Sequence, residues 1–243
     1  MTDIPNVTLL DSPIPARLDR SVRDLQTLLN RPENKDAVFH SFRARDLRMC
    51  LVYMDGMADA AKIADFILRP ILISPLVPPA GSAALASFLR EQAVQIPQIE
   101  EASLYRPVVS AVLSGMTALL AEGMDAALLL DTRGFEKRNV DRANNESVVI
   151  GSQEGFVESL RTNLTLLRRY CQSQQLITEF VDVGTKIQSR VAVVYLKGVM
   201  DTSILRELRD RLARIDSPFV QGIGQLQQHI EDSWLALLPQ MLQ

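Results

Sequence analysis

The chain has 243 residues, 47% of them hydrophobic and 23% charged, with 26 Lys and Arg against 29 Asp and Glu and a net charge of −3. That length suits one large domain or two small ones, and that composition excludes a chain disordered throughout. The slightly acidic balance gives no electrostatic case for nucleic acid or for an anionic membrane surface.

Residues 11–30 open with Ser12-Pro13 and carry Leu18, Val22, Leu25 and Leu29 on one face, which predicts an N-terminal helix ended by Arg31-Pro32-Glu33-Asn34. Residues 38–45 alternate Val38, His40, Phe42 and Ala44 as a strand does, and 49–54 form a strongly apolar strand closed by Asp55-Gly56. A helix is predicted over 59–69, stopped by Pro70, and Pro75, Pro78 and Pro79 make 71–81 a loop. Helical patterns follow at 82–95 and 99–113, separated near Pro97. Residues 117–121 and 126–131 form a hairpin around Glu122-Gly123-Met124-Asp125, and the polar stretch 132–145 is the candidate linker between two halves.

Residues 146–170, ESVVIGSQEGFVESLRTNLTLLRRY, organise the rest. Val148, Val149 and Ile150 read as a buried strand, the glycines as a turn, and the remainder as a four-turn helix with Ser152 as its N-cap. Phe156, Leu160, Leu164 and Leu167 form its apolar stripe. Glu154 and Glu158 near the start, with Arg161, Arg168 and Arg169 toward the end, suit the helix dipole. The same arginines equally suit contact with a neighbouring subunit or a membrane-embedded partner. Asn163 interrupts the apolar side, and a buried amide needs partners, which we expect in a loop across a groove. Beyond this helix, 176–183 and 190–196 read as strands, and 201–215 and 222–238 as helices.

The stretch resembles the signature of the spore germinant receptor A-subunit family (GerA/SpoVAF), roughly E-x-x-(I/V)-R-G-P-(R/K)-E-G-F-x-E-S-L-x-x-N-x-x-L-(I/L)-R-R. The matching positions are Glu146, Gly151, Glu154, Gly155, Phe156, Glu158, Ser159, Leu160, Asn163, Leu167, Arg168 and Arg169. Two places depart from the pattern. The family's Arg before the first glycine is Ile150, and its Pro-Arg or Pro-Lys is Ser152-Gln153, so a basic, proline-stiffened loop has become neutral.

An internal repeat stands out. CLVYMDGMADAAKIADF from Cys50 aligns without a gap with AVVYLKGVMDTSILREL from Ala192. Tyr53 matches Tyr195, Gly56 matches Gly198 and Asp59 matches Asp201, each pair 142 residues apart. The unit is a buried strand, a glycine exit and an Asp-capped helix packed back over the strand. Leu128 to Leu130, followed by Arg133-Gly134, repeats only the strand exit. The expected fold is therefore α/β, with two small α/β subdomains and a groove between them plus an N-terminal helix. The boundaries are 1–36 for the helical segment, 37–143 for the first subdomain and 144–243 for the second.

No chemistry assembles from the residues. His40 and His229 each lack a second His or Cys within a helical turn, so no metal site is expected. There is no Walker loop, no G-x-S-x-G and no other catalytic set, and neither a cofactor nor an enzyme is expected. Residues 151–155 open a helix and could hold an anion, but Glu154 without a nearby Lys favours a structural turn. Asp55, Asp131 and Asp201 lie at strand exits, where capping and turn roles suffice. Arg206, Arg209, Arg211 and Arg214 alternate with Glu207 and Asp210, as a solvated ion-pair face or an inter-subunit surface would. Cys50 and Cys171 sit among apolar neighbours and read as core thiols of a reducing compartment. The start MTDIPNVTLL has no secretory pattern, and no run reaches the roughly 18 apolar residues needed to span a bilayer.

The resemblance implies more than the residues do. It implies the soluble N-terminal region of a germinant receptor A subunit, on the cytoplasmic (spore-core) side of the spore inner membrane, with the membrane-embedded part following in the chain. It implies partnership with receptor B and C subunits and with other A subunits, and a role in receptor assembly and in coupling nutrient signals to ion release. The alternative is a module that binds a small nutrient molecule in the groove.

Overall fold

The structure, a computed structural model, describes residues 8–73, 77, 79–134, 155–220 and 222–230. In chain order these form α1 (Leu18–Leu28), β1 (Ala37–Ala44), β2 (Leu47–Met54), α2 (60–73), α3 (82–93), β3 (Ile99–Ala102), α4 (Tyr105–Leu113), β4 (Thr117–Ala121), β5 (Ala127–Leu130), α5 (Leu160–Tyr170), β6 (Leu176–Val183), β7 (Ser189–Leu196), α6 (Thr202–Ala213) and α7 (Ile223–Ile230). The fold is α/β. It divides into two compact units, 1–174 and 175–243.

In the first unit five strands make one antiparallel sheet in the order β1-β2-β4-β5-β3. Alternation along β2 decides how it is covered. Cys50, Val52 and Met54 point into a core shared with α1 and α4, while Met49 and Leu51 point into a second core filled from α2 and α3. Ala118 and Leu120 of β4 join the first core and Leu119 and Ala121 the second. The central strands are therefore buried on both faces, which is why they read as continuous apolar runs rather than alternating ones.

In the second unit β6 and β7 form a two-stranded hairpin, paired from Leu176↔Leu196 to Val183↔Ser189. A pair of strands is marginal alone. Here Val183, Val193, Leu205, Leu212, Ile215 and Val220 close a small core, with Leu226 and Ile230 of α7 packed against it.

Several expectations are corrected. The expected helical segment 1–36 is not separate in its described part, 8–36, because Leu18, Leu25, Leu28 and Leu29 lie inside the first core. The division falls after Gln174 rather than at 143–144, since α5 is bonded into the first unit. Residues 99–102 are a strand, not the start of a helix: Ile99 to Ala102 pair with β5 at the sheet edge, leaving Glu100 and Glu101 exposed. Helix α4 begins only at Tyr105, with Pro107 in its first turn, where a missing N–H costs little. Nor does Pro70 stop its helix. Residues 64–68 widen into a π turn in which the Arg69 N–H bonds to Ala64 O, and the Phe66 carbonyl that Pro70 cannot serve accepts the Gln95 N–H at 2.9 Å.

Candidate functional site

Three stretches converge at one end of the first unit: the exit from β2, the exit from β5 and helix α5. After Met54 the chain turns through Gly56, at φ +80°, and Asp59 starts α2 by accepting the N–H groups of Ala61 at 2.8 Å and Lys62 at 3.2 Å. The β5 exit lies alongside, with the Asp59 N–H donating to Thr132 O at 2.8 Å and Lys62 Nζ donating to Arg133 O at 3.0 Å. The approach is close enough that a Cβ on Gly134 would lie 2.4 Å from that of Asp59.

Helix α5 covers this turn. Arg161 Nη2 donates to Asp55 Oδ1 at 2.8 Å, and a Cβ on Gly56 would lie 2.5 Å from Thr165 Oγ1. Between them lies an open cavity of about 240 Å³ lined by Gly56, Asp59, Gly134, Arg161, Thr162 and Thr165, among others. Tyr53, half-buried just behind it, has its phenol pushed up by burial and by the Asp55 charge, an effect Arg161 partly offsets. The polar groups here are spent on caps and ion pairs rather than aimed at a common point. Among the described residues no group of His, Cys, Asp or Glu side chains is placed to hold a metal ion.

The other end of α5 is fixed more deeply. Arg168 is 1% exposed and its partner Asp36 4%. The guanidinium donates to both carboxylate oxygens, Nε to Oδ2 at 2.7 Å and Nη2 to Oδ1 at 2.9 Å. Nη2 also reaches Asn34 Oδ1 at 3.0 Å and Nη1 reaches Ser173 O at 3.1 Å. Asn34 in turn donates to Leu29 O at 3.1 Å, tying the network to the end of α1. A buried ion pair must be this fully bonded to offset the loss of water from both charges.

The signature positions thus play unlike parts. Glu146, Gly151 and Glu154 lie outside the described residues, as do Ser152 and the strand expected at 148–150. Gly155 is half-buried and Glu158 exposed. Phe156 is 69% exposed and precedes the helix, which begins at Leu160 with Ser159 as its N-cap, accepting the Thr162 N–H at 3.3 Å. Asn163 bonds locally and not across a groove: its Oδ1 accepts the Val157 N–H and its Nδ2 donates to Val157 O, both at 2.8 Å. That pair of bonds pins the approach to α5. Arg169 is exposed on the last turn.

The two strand exits share their turn hydrogen bonds, although β7, unlike β2, buries only Val193 and so is not the buried strand expected. Met57 and Ala58 N–H both turn back to Met54 O, and Val199 and Met200 N–H to Leu196 O. Gly198 has φ +85° and Asp201 caps α6 through the Ser203 N–H at 2.7 Å. The surroundings differ, because Gly198 has no atom within 4 Å of where a Cβ would lie. Tyr195 donates to Glu179 Oε1 at 2.6 Å, where Arg209 Nε also reaches Glu179 Oε2 at 3.0 Å. Arg211 pairs with Glu207 at 2.5 Å, so two of the arginines expected on this face, Arg209 and Arg211, bind within the chain. Nothing in the sequence marks Asp36 and Asn34 as partners of Arg168. The available signal was Arg168 itself, four residues beyond Leu164 and eight beyond Leu160 on the same helical stripe, where a charge needs a buried partner.

Comparison with known proteins adds what the geometry does not. The family described as Bacillus/Clostridium GerA spore germination protein matches residues 23–243. Spore germination protein KA of Bacillus subtilis (strain 168) is 26% identical over 195 residues, covering 80% of this chain and 35% of that protein. The membrane protein YfkQ of the same organism is 30% identical over 233 residues, covering 95% of this chain and 44% of its own length. The chain thus spans less than half the length of these curated relatives. Its fold is that of the crystallised N-terminal domain of the A subunit of the Bacillus megaterium spore germinant receptor GerK3, with a TM-score of 0.65 at 20% identity over 85% of this chain and 74% of that one.

Proposed function

Because the chain belongs to the Bacillus/Clostridium GerA spore germination protein family, we propose that it is the N-terminal region of a germinant receptor A subunit and acts in spore germination. The observation that carries this reading is the family match, which runs through both units, from 23 to 243. The role is one of assembly and signal coupling, without catalysis. In the full-length protein this region lies on the spore-core side of the inner membrane, joins other A subunits and the B and C subunits, and passes the nutrient signal toward ion release. The way Arg168 and Arg161 are used supports a structural role for the signature helix, since both bind within the chain. Among the described residues no helix is long and apolar enough to cross a membrane.

The test is genetic. In spores whose only family member is the full-length protein, Arg168→Ala is expected to slow nutrient-triggered ion release, and deletion of the gene to abolish it. Spores that lack the gene yet respond to every nutrient mixture at the parental rate would overturn the assignment.

A second reading, a nutrient-binding module, has its own location, the cavity beside Gly56 and Arg161. Saturable thermal stabilisation of the chain by an amino acid, sugar or nucleoside, lost on Arg161→Ala, would favour it over coupling alone.

A further inference from the structure

Helix α1 packs on the face of the first sheet that carries Cys50, Val52 and Met54. Toward the β1–β2 turn the same face becomes polar. Arg48 has the parity of Cys50, and Ser41 and Arg43 stand opposite the two, in the register Ser41↔Cys50 and Arg43↔Arg48. Between this end of the sheet and α1 lies an open groove of about 540 Å³, lined among others by Leu18, Val22 and Arg23 of the helix and by Ser41, Arg43 and Arg48 of the strands. Its charges are unevenly matched. Arg48 is shared by two carboxylates, Asp19 at 3.0 Å and Glu122 at 2.8 Å, and Glu122 also accepts the Leu18 N–H at 3.2 Å. Arg23 and Arg43 are exposed, and among the described residues neither has a carboxylate partner. Arg43 also stands directly across from Arg48 on the neighbouring strand, and like charges so placed weaken a sheet. In a chain of net charge −3 this corner is locally basic, with one unmatched guanidinium on each wall of the groove.

We propose that this groove binds the phosphoryl group of a small phosphate monoester, held between Arg23 and Arg43. Each guanidinium is a planar fork that grips two oxygens of an anion. A tetrahedral dianion presents its oxygens in more than one plane and satisfies both forks at once, whereas a flat monocarboxylate fills only one. Leu18 and Val22 give the organic part of the ester an apolar wall. The bound anion also relieves the repulsion between Arg43 and Arg48, so its binding stabilises the β1–β2 end of the sheet. The groove shares no lining residue with the cavity beside Gly56 and Arg161, and the proposal does not rest on the germination reading.

The test uses the 243-residue chain, with phenyl phosphate, inorganic phosphate and benzoate as probes at constant ionic strength, read by calorimetric titration and thermal melts. Phenyl phosphate is expected to bind saturably and to raise the melting midpoint, inorganic phosphate to compete with it, and benzoate to bind about tenfold more weakly. Arg23→Gln and Arg43→Gln should each weaken phenyl phosphate by about tenfold. Arg206→Gln, the same loss of charge at an exposed position on α6, should leave it unchanged. Without any probe Arg43→Gln should melt no lower than the parent, because Arg43 faces a like charge and has no carboxylate partner to lose. Absence of saturable binding, benzoate binding as tightly as phenyl phosphate, or equal weakening by all three variants overturns the proposal. So does sedimentation with phosphatidylglycerol vesicles by a chain that the free phosphates leave unaffected, since the groove would then serve a lipid surface. Where one of the two groove variants fails to fold, by circular dichroism, the other decides.

Discussion

Removing the Arg168 side chain is the sharpest perturbation this structure offers. Arg168→Ala leaves the Asp36 carboxylate, 4% exposed, without the fork that binds both of its oxygens. Breaking a buried pair from one side costs about 3–5 kcal/mol, because the remaining charge is stranded away from water. For a unit of this size each kcal/mol moves the midpoint by roughly 2–4 °C, so thermal unfolding should shift down by about 6–20 °C. The internal control is Arg161→Ala, whose partner Asp55 is 50% exposed and whose own side chain is 53% exposed; this surface pair should cost no more than about 1 kcal/mol. Replacing both buried partners, Arg168→Met with Asp36→Leu, should recover more than half of the loss, since no charge is then stranded. Calorimetry or circular dichroism melts of the four chains measure all of this. Equal shifts for Arg168→Ala and Arg161→Ala would refute the reasoning, and with it the claim that the pair is dry.

Other outcomes follow from the same geometry. Gly56→Ala and Gly198→Ala both force an L-residue to positive φ, at about 1–2 kcal/mol each, but only Gly56 meets a neighbour, Thr165 Oγ1; urea unfolding should therefore show the larger loss for Gly56→Ala. Asp59→Ala should lower stability by about 1 kcal/mol through loss of a cap that accepts two N–H groups, while Asp59→Asn should restore most of it. The Arg133 guanidinium, bonded to Asp131 at 2.6 Å, holds that carboxyl below its usual range. A lowered value in the folded state stabilises the fold above about pH 4, and that share fades as pH falls through the folded-state pKa. Asp131→Asn should accordingly narrow the difference in urea midpoint between neutral and acid solution.

Much of this architecture could be read from residue order. The apolar run of β2, the β4–β5 hairpin and the Asp caps of α2 and α6 all announced themselves by period or by end signals. The misses have physical causes. Ile99-Glu100-Glu101-Ala102 is too short to show a period, and its strand character comes from pairing with β5 rather than from its side chains. Pro70 stays within its helix because the chain widens there and the carbonyl four residues back finds another donor, the Gln95 N–H just past α3, which sequence order alone does not bring near. The order of residues leaves Arg168 either complementing the helix dipole or meeting a partner subunit, both at the surface; its burial depends on Asp36, 132 residues away. In the candidate site, Gly56, Asp59 and Arg161 were each visible in the sequence, but their meeting was not, since it needs α5 to lie over the β2 exit.

The bond from Gln95 to Phe66 has an experimental consequence of its own. Both atoms belong to the main chain, so truncating side chains one at a time along these two helices would pass over the join and report it as empty. Only a change that removes the amide hydrogen itself, such as Gln95→Pro, or an ester in place of that peptide, would expose what ties the proline-containing helix to the segment just past α3.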